Sequence, residues 1–472
     1  MGGSVVERAI EDRWRHLLTR NLAPATATVC LGDALHALNV FITTTTMPSV
    51  VVELGGVSII GWASTVFLVA AIVGGASAGF LKQRLGARPA LIGAAAVFTM
   101  GTLCISLAPS MASVLVGRAL QGAGDGVIIA ACYALVAELF PARLVPKMFG
   151  LLAIIWAIAA FGGPLLAGLL TETTSWRVAY LVNLLLALTF AGLVAIVVPR
   201  TTRSTAPVVV PFGRLAAIAG GIMLVAVAGI TGALAATVTL IVAALGVLIG
   251  VFVVDRSSPN KLFPSDAFSP RSIVGTTLWV VLLMPLAQAC TTVYLPLFLQ
   301  HLWGHGPTVA GSFTAITALS WSGAAMIVAN IKAADLARIT IRLGPILVAV
   351  GLAGASLALP LMQHWLLALC QVMIGAGFGV SWAFLNQAVM TNARPGETDT
   401  ASGLVPTTQS AGYAIGAALF GLVAQSAGLS DALDPATIAH ASRWLFGIAA
   451  AFALTAVVFG FAVRLRPADA RA

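Results

Sequence analysis

The sequence predicts an all-α protein embedded in a lipid bilayer and crossing it fourteen times. Three observations lead there. Apolar side chains make up 59% of the 472 residues and charged ones only 9%. A soluble domain carries about 25% charged residues, so this chain cannot cover a water-facing surface. The apolar residues gather into runs of about 20, the length that crosses the hydrocarbon core with every backbone group bonded internally. Finally, of the 25 Lys and Arg, all but Arg118, Arg177 and Arg443 fall in the two tails or in alternate connecting segments. That is the positive-inside pattern, and it puts both termini in the cytoplasm of a cell whose inner membrane holds the chain. It also accounts for the net charge of +9 without nucleic acid.

Each span is delimited by charge or turn residues. Span 1, 24–51, follows the polar stretch RWRHLLTR (13–20) and stops before Glu53 and Gly55. Residues 1–20 lack an apolar core and are expected to be a cytoplasmic tail rather than a cleavable signal. Span 2, 57–80, runs to LKQRLGAR (81–88), and span 3, 89–108, ends at Pro109. Span 4, 111–137, stops at Glu138 and Pro141, span 5, 147–170, at TETTSWR (171–177), and span 6, 177–199, at Arg200. Spans 7 and 8, 213–231 and 234–254, are divided only by Ile230 to Ala233. Together they are too long for one crossing, and merging them would invert every later loop and destroy the charge bias. The polar stretch 255–271 leads to span 9, 272–299, and HLWGHGP (301–307) to span 10, 308–331. Spans 11 to 14, at 343–362, 365–391, 402–427 and 442–463, follow breaks containing Arg342, Gln363, Arg394 and Asp434. The division expected is thus tail 1–20, six helices in 21–200, a linker and two-helix hairpin in 201–271, six helices in 272–463, and a cytoplasmic tail 464–472.

Few residues in the spans carry chemistry. The five cysteines lie far apart in apolar runs and read as small hydrophobes. No phosphate-binding loop or HExxH occurs, so no enzyme, cofactor or metal is expected. Asp33 and Asp125 are the two acids placed well inside spans, each in the central third of the membrane by a rise of about 1.5 Å per residue. Ionisable groups at that depth are costly and mark function. A carboxyl kept from water favours its neutral form, as a carrier that alternately binds and releases a proton requires. Proton coupling is therefore assigned first to Asp125, then to Asp33, with Arg118 two turns from Asp125 and His36 one turn above Asp33. The alternative is a structural salt bridge between Arg118 and Asp125. A substrate cavity is expected from Asn39 and Gln121 in the first half and from Trp279, Gln288, Tyr294, Trp321, Trp382, Asn386, Gln387, Gln409 and Tyr413 in the second. Such a wall suits amphipathic or cationic ligands through stacking and cation–π contacts. Gly75, Gly79, Gly122, Gly124, Gly126, Gly163 and Gly168 are placed to allow close helix approach, Thr43 to Thr46 to bond their own helix, and Trp176 to anchor at the interface.

Several stretches resemble the major facilitator superfamily. GFLKQRLGARPAL (79–91) is similar to its loop motif between spans 2 and 3, matching at Gly79, Arg84, Gly86 and Arg88, with Gln83 where an acid is usual. RALQGAGDG (118–126) looks like the span-4 motif, and the segment Gly162 to Gly168, with Gly163 and Pro164, resembles the span-5 motif associated with antiporters. SWRVAYLVN (175–183) fits the start of span 6, and YLPLFLQHLWGHGPTVAG (294–311) and GLVPTTQSAGYAIGAAL (403–419) look like the second half of fourteen-span drug:proton antiporters. The resemblance implies two six-helix bundles around a central cavity, with the hairpin inserted between them. It also implies alternating access, protons and a small molecule as partners, a monomer, and a cytoplasmic tie between halves through Arg84 and Arg88. Two positions depart: the family's span-1 acid is Asn39 here, and Asp125 stands where a small residue is usual. Proton-driven efflux of drugs or amphipathic compounds is the reading this supports. A carrier of one metabolite, siderophore or lipid precursor is the alternative, and a membrane scaffold or sensor the third.

Overall fold

The computed structural model describes residues 17, 19, 22–141, 144–199, 210–231, 233–258, 261–329, 331, 334–394, 397–429 and 434–463. The expected tails at 1–20 and 464–472 and the polar stretch at 200–209 lie almost entirely outside them. The described residues form fourteen α-helices and no strand: α1 (Ala23–Leu54), α2 (Ile60–Leu85), α3 (Ala87–Ser106), α4 (Met111–Leu139), α5 (Val145–Thr173), α6 (Trp176–Val197), α7 (Phe212–Ala228), α8 (Leu234–Arg256), α9 (Ile273–His301), α10 (Pro307–Val328), α11 (Ala334–Ala358), α12 (His364–Asn392), α13 (Thr398–Ser426) and α14 (Pro435–Ala462). Twelve of these, all but α7 and α13, are long and apolar enough to cross a membrane among the described residues. The helix α7 has only 17 residues, and α13 carries a polar first half from Thr398 to Ser410.

Local chemistry explains where helices begin. Ser110 and Ser113 form a capping box at the start of α4, Ser175 accepts from Arg177 at α6, and Asp434 accepts from Thr437 at α14. Such caps satisfy backbone donors that the first turn leaves free. They also correct the last span: Asp434 as cap and Pro435 in the first turn start α14 seven residues before position 442. Between α2 and α3 a single residue, Gly86, reverses the chain at φ 92°, a conformation that side chains with a Cβ rarely adopt. That explains the glycine in the loop motif.

The helix pairings repeat. Within α1–α6 the main contacts are α2 with α4, α3 with α4, α1 with α5, α3 with α6 and α1 with α6; in α9–α14 the same pairings recur as α10–α12, α11–α12, α9–α13, α11–α14 and α9–α14. Two seams join the sets, α5 with α10 and α2 with α13, and they are equivalent under the repeat. The α7–α8 hairpin packs through α7 against both α2 and α13. Ile222 of α7 clusters there with Val69 and Ala414.

Contacts across the seams concentrate at the end holding the C-terminus of α1 and the N-terminus of α10, the far end. Gln300 donates to the Thr45 carbonyl at 3.4 Å, the Thr308 backbone N–H donates to Glu172 at 3.0 Å, and Thr65 donates to the Ala414 carbonyl at 3.3 Å. Gly61 lies against the backbone of Ala417, Gly168 against Thr308, and Gly311 against Pro164 and Thr45. The halves are closed there. At the opposite end Arg84 is exposed and its guanidinium lies over Phe80 of its own helix at 5.3 Å. Among the described residues no hydrogen bond, ion pair or ring contact joins Arg84 or Arg88 to α9–α14, so the cytoplasmic tie, expected of them in the outward-open state, is not made in this closed-far-end state.

Candidate functional site

A buried polar cluster lies between α1, α4, α5 and α6. Its positions follow from helix geometry: Asp33, His36 and Asn39 are three residues apart on one stripe of α1, and Arg118, Gln121, Asp125 and Tyr133 share a stripe of α4. The α4 glycines allow that stripe to face inward. Gly122 and Gly126 lie against the backbones of Phe67 and Ala71 in α2, and Gly124 against Ala94 and Phe98 in α3. Any Cβ there would push those helices apart.

His36 Nδ1 and Asp125 Oδ2 stand 2.6 Å apart. Asp125 is 1% exposed and the His36 side chain 23%, so the pair joins a buried carboxylate to a partly open imidazole. The other Asp125 oxygen, Oδ1, has no partner. One turn along α1, Asp33 is fully buried. Tyr133 donates its hydroxyl to Asp33 Oδ1 at 3.4 Å, and Oδ2 is unpartnered. No direct bond joins the two carboxyls; His36 stands on the turn between them. Its ring meets Trp156 of α5 edge-on at 5.5 Å and stacks on Phe67 at 6.5 Å. An unpartnered buried oxygen is costly unless it holds a proton or meets a ligand, and here two carboxyls each present one.

Arg118 is placed differently from the salt bridge weighed above. Its Nε donates to the Ala63 carbonyl at 3.1 Å, its Nη1 to Gln121 Oε1 at 2.8 Å and to Asn39 Oδ1 at 3.5 Å. Its guanidinium lies 4.1 Å over the Phe67 ring. Gln121 passes the network to Thr102 at 2.9 Å, and Asn183 of α6 donates to Asn39 Oδ1 at 3.1 Å. The cation is thus held by neutral dipoles and a π face, and Asp125 is left to His36. Asn39 and Gln121, read as cavity wall, are fully buried members of this network.

In the second half, Tyr413 donates to Gln288 Oε1 at 2.6 Å. Trp321 stacks on Phe378 at 4.7 Å and meets Trp382 edge-on at 5.8 Å. Asn386 is half-buried and donates to the Trp382 carbonyl of its own helix at 2.9 Å, and Gln409 is half-buried and Gln387 exposed. Two residues sit elsewhere than a cavity wall. Trp279 donates to the Phe268 carbonyl at 2.9 Å and stacks on Phe459 at 5.3 Å, anchoring the segment before α9. Tyr294 is fully buried and stacks on Phe298 at 6.0 Å. The span-5 motif residues lie on contacts: Gly163 abuts Phe41 of α1, and Pro164 abuts Gly311 of α10. Trp156, Ala37, Phe41, Ala159 and Ala160 form a small cluster that Ala318 of α10 joins, so the polar cluster abuts the second half.

Trp176 donates to Glu53 Oε2 at 2.6 Å, beside the Arg177–Glu53 ion pair at 2.5 Å. Thr44 and Thr46 bond back to Val40 and Ile42 of their own helix at 2.9 and 2.8 Å. Among the described residues no group of three or more His, Cys, Asp or Glu is arranged to hold a metal ion. Sequence reasoning missed Tyr133, Trp156 and Asn183. Tyr133 carried a signal, being two turns beyond Asp125 on the same stripe; Trp156 and Asn183 reach the cluster only through tertiary packing.

Comparison with known proteins agrees with this architecture. The family model described as Major Facilitator Superfamily matches residues 29–417 and 277–472. A "probable multidrug-efflux transporter" of Mycobacterium tuberculosis is 30% identical over 431 residues, covering 88% of this chain and 90% of the relative. An "uncharacterized transporter" of Escherichia coli is 26% identical over 421 residues, covering 84% and 88%. Among solved structures, a POT family transporter in complex with 5-aminolevulinic acid aligns with a TM-score of 0.69 at 14% identity, covering 93% of this chain and 96% of that one. A D-xylose-proton symporter aligns with a TM-score of 0.65 at 16% identity, covering 93% and 97%.

Proposed function

The chain belongs to the major facilitator superfamily and is a transporter rather than an enzyme, and from that premise we propose that it is a proton-coupled exporter of drugs or other amphipathic small molecules. It crosses the inner membrane with fourteen helices, both termini in the cytoplasm, and works by alternating access as a monomer. The observation that carries this reading is the His36–Asp125 pair at 2.6 Å with Asp33 one turn away. A proton on this cluster neutralises charge at bilayer depth, where charge is expensive, and its loss leaves an acceptor for a cationic substrate. Competition between the two yields exchange. Trp321 and Trp382, both half-buried and backed by the buried Phe378, offer flat apolar faces to such a substrate. The multidrug-efflux relatives support the substrate class. Rocking of α1–α6 against α9–α14 across the two seams supplies the conformational change.

The test is flux of a fluorescent lipophilic cation into proteoliposomes under an imposed pH gradient. Wild type should accumulate it, and Asp125→Asn or Asp33→Asn should abolish gradient-driven uptake. Intact uptake in both variants would sink the site assignment. A second reading, a carrier of one metabolite, siderophore or lipid precursor, rests on Asn39, the neutral residue at the position where the family resemblance implies an acid. It is tied to Arg118 and Asn183. Wild type that moves no lipophilic cation, but saturably moves one compound from a substrate screen, would establish it.

A further inference from the structure

At the far end, outside the spans and away from the polar cluster, two imidazoles face each other. His305 lies in the turn between α9 and α10, and His364 opens α12. Their Nε2 atoms are 2.9 Å apart, with ring centroids at 5.1 Å. Two nitrogens at that distance share one proton: one donates and the other accepts. When the donor ring takes its Nδ1–H tautomer, or an imidazolium form gives its Nε2 proton to water, two lone pairs converge on one point.

We propose that His305 and His364 form a binding site for a borderline-soft divalent cation of the Zn2+ class, bound through both Nε2 atoms with water completing the shell. Zn–N bonds of about 2.0–2.1 Å at a tetrahedral angle place two ligand nitrogens about 3.3–3.4 Å apart. The rings therefore need to separate by only about 0.4–0.5 Å to admit the ion, within the reach of side-chain rotation. Nitrogen ligands suit Zn2+, Ni2+ and Cu2+ and not Mg2+ or Ca2+.

The site is held ready by its surroundings. The His305 backbone N–H donates to the Leu299 carbonyl at 3.1 Å. Trp303 is buried and donates to the Leu359 carbonyl at 2.9 Å, which ties the α9–α10 turn to the end of α11. Its ring lies 4.3 Å from that of His364 and 5.8 Å from that of His305, so one anchored indole fixes both imidazoles. His364 is exposed, so an ion has access. The bound ion would couple the α9–α10 turn to α12 three residues before Thr308, the residue that meets Glu172 across the α5–α10 seam.

The test is calorimetric titration of Zn2+ and of Mg2+ into the purified full chain after removal of any polyhistidine tag. Wild type should bind one Zn2+ and no Mg2+. Both His305→Ala and His364→Ala should weaken Zn2+ binding at least tenfold, while His440→Ala keeps it. Cu2+ should quench a fraction of the tryptophan fluorescence that is absent in Trp303→Phe and in both histidine variants. Unchanged melting temperatures of the metal-free variants, with a Zn2+-dependent rise confined to wild type and His440→Ala, separate loss of the site from loss of the fold. Failure of wild type to bind Zn2+, or equal binding in His305→Ala and His364→Ala, overturns the proposal.

Discussion

Replacing Gly168 by alanine should unlock the far end of the molecule without unfolding it. A Cβ built on Gly168 would stand 2.5 Å from Thr308 Cα and 2.6 Å from its backbone nitrogen. Carbon atoms in contact settle at about 3.5–4.0 Å, so the added methyl overlaps the first turn of α10 by about 1 Å, and backbone cannot swing aside as a side chain can. Overpacking of this kind costs about 1–3 kcal/mol. The cost falls only on the state in which α5 and α10 are closed at the far end. At about 1.4 kcal/mol per tenfold, the closed-to-open ratio should drop by roughly 5- to 150-fold. The assay is a spin-label distance measurement in a cysteine-free background, with labels at the exposed Leu107 and Trp365 on opposite halves. Gly168→Ala should move the distribution toward longer separations. Gly162→Ala, whose Cβ meets nothing within 4 Å, should leave it unchanged. A Gly168→Ala distribution superimposable on wild type, at equal melting temperature, would refute the claim that this contact holds the far end shut.

Glycines within one helix set should behave in the opposite way. Gly126→Ala drives a Cβ into the Ala71 carbonyl oxygen and to 2.8 Å from the Gly75 backbone nitrogen, a contact of α4 with α2 that no rocking relieves. Its expected effect is a loss of stability of about 1–3 kcal/mol, read as a lower melting temperature with no shift between conformers; wild-type melting would show the packing to be slack. Glu397 predicts a pH effect in the turn before α13. The Ser265 hydroxyl, helped by the Ser265 backbone N–H, holds its carboxyl below the usual glutamate pKa. A depressed folded-state pKa means that this tie contributes fully above the unfolded value of about 4.3 and is lost as pH falls through the folded value. Hydrogen exchange around Ser265 should therefore accelerate below about pH 4, and Glu397→Gln should remove that step.

Hydropathy and charge made the helices legible, because lipid leaves a spanning chain no alternative to satisfying its own backbone. Helix ends were less so. The start of α14 depends on the Asp434 cap, a local hydrogen bond that outweighs a mean hydropathy reading in a segment containing His440 and Arg443. The pairing of site residues was legible where one helix stripe carries it, as with Asp33 and His36, and opaque where it crosses helices. Arg118 lies two turns from Asp125, which suggested a pair. The guanidinium instead reaches the Ala63 carbonyl, Gln121 and Asn39, because Gly122 draws α2 close enough for that carbonyl and the Phe67 ring to receive it. Composition cannot reveal a cation solvated by a neighbouring helix. Trp279 and Tyr294 teach the same lesson: an aromatic in a span is equally fit for a binding wall and for an anchor, and only its neighbours decide.

The α7–α8 hairpin makes the two seams unequal. The repeat renders α5–α10 and α2–α13 equivalent, yet α7 lies over only the second, with Ile222 set between Val69 and Ala414 and Gly229 against Leu422. Along α5 and α10, which form the first, Ile158, Phe161, Met326 and Ile327 stay exposed. Approached from the bilayer, the molecule is therefore a room with one of its two side walls boarded, and its two flanks have a handedness that the internal symmetry would otherwise forbid.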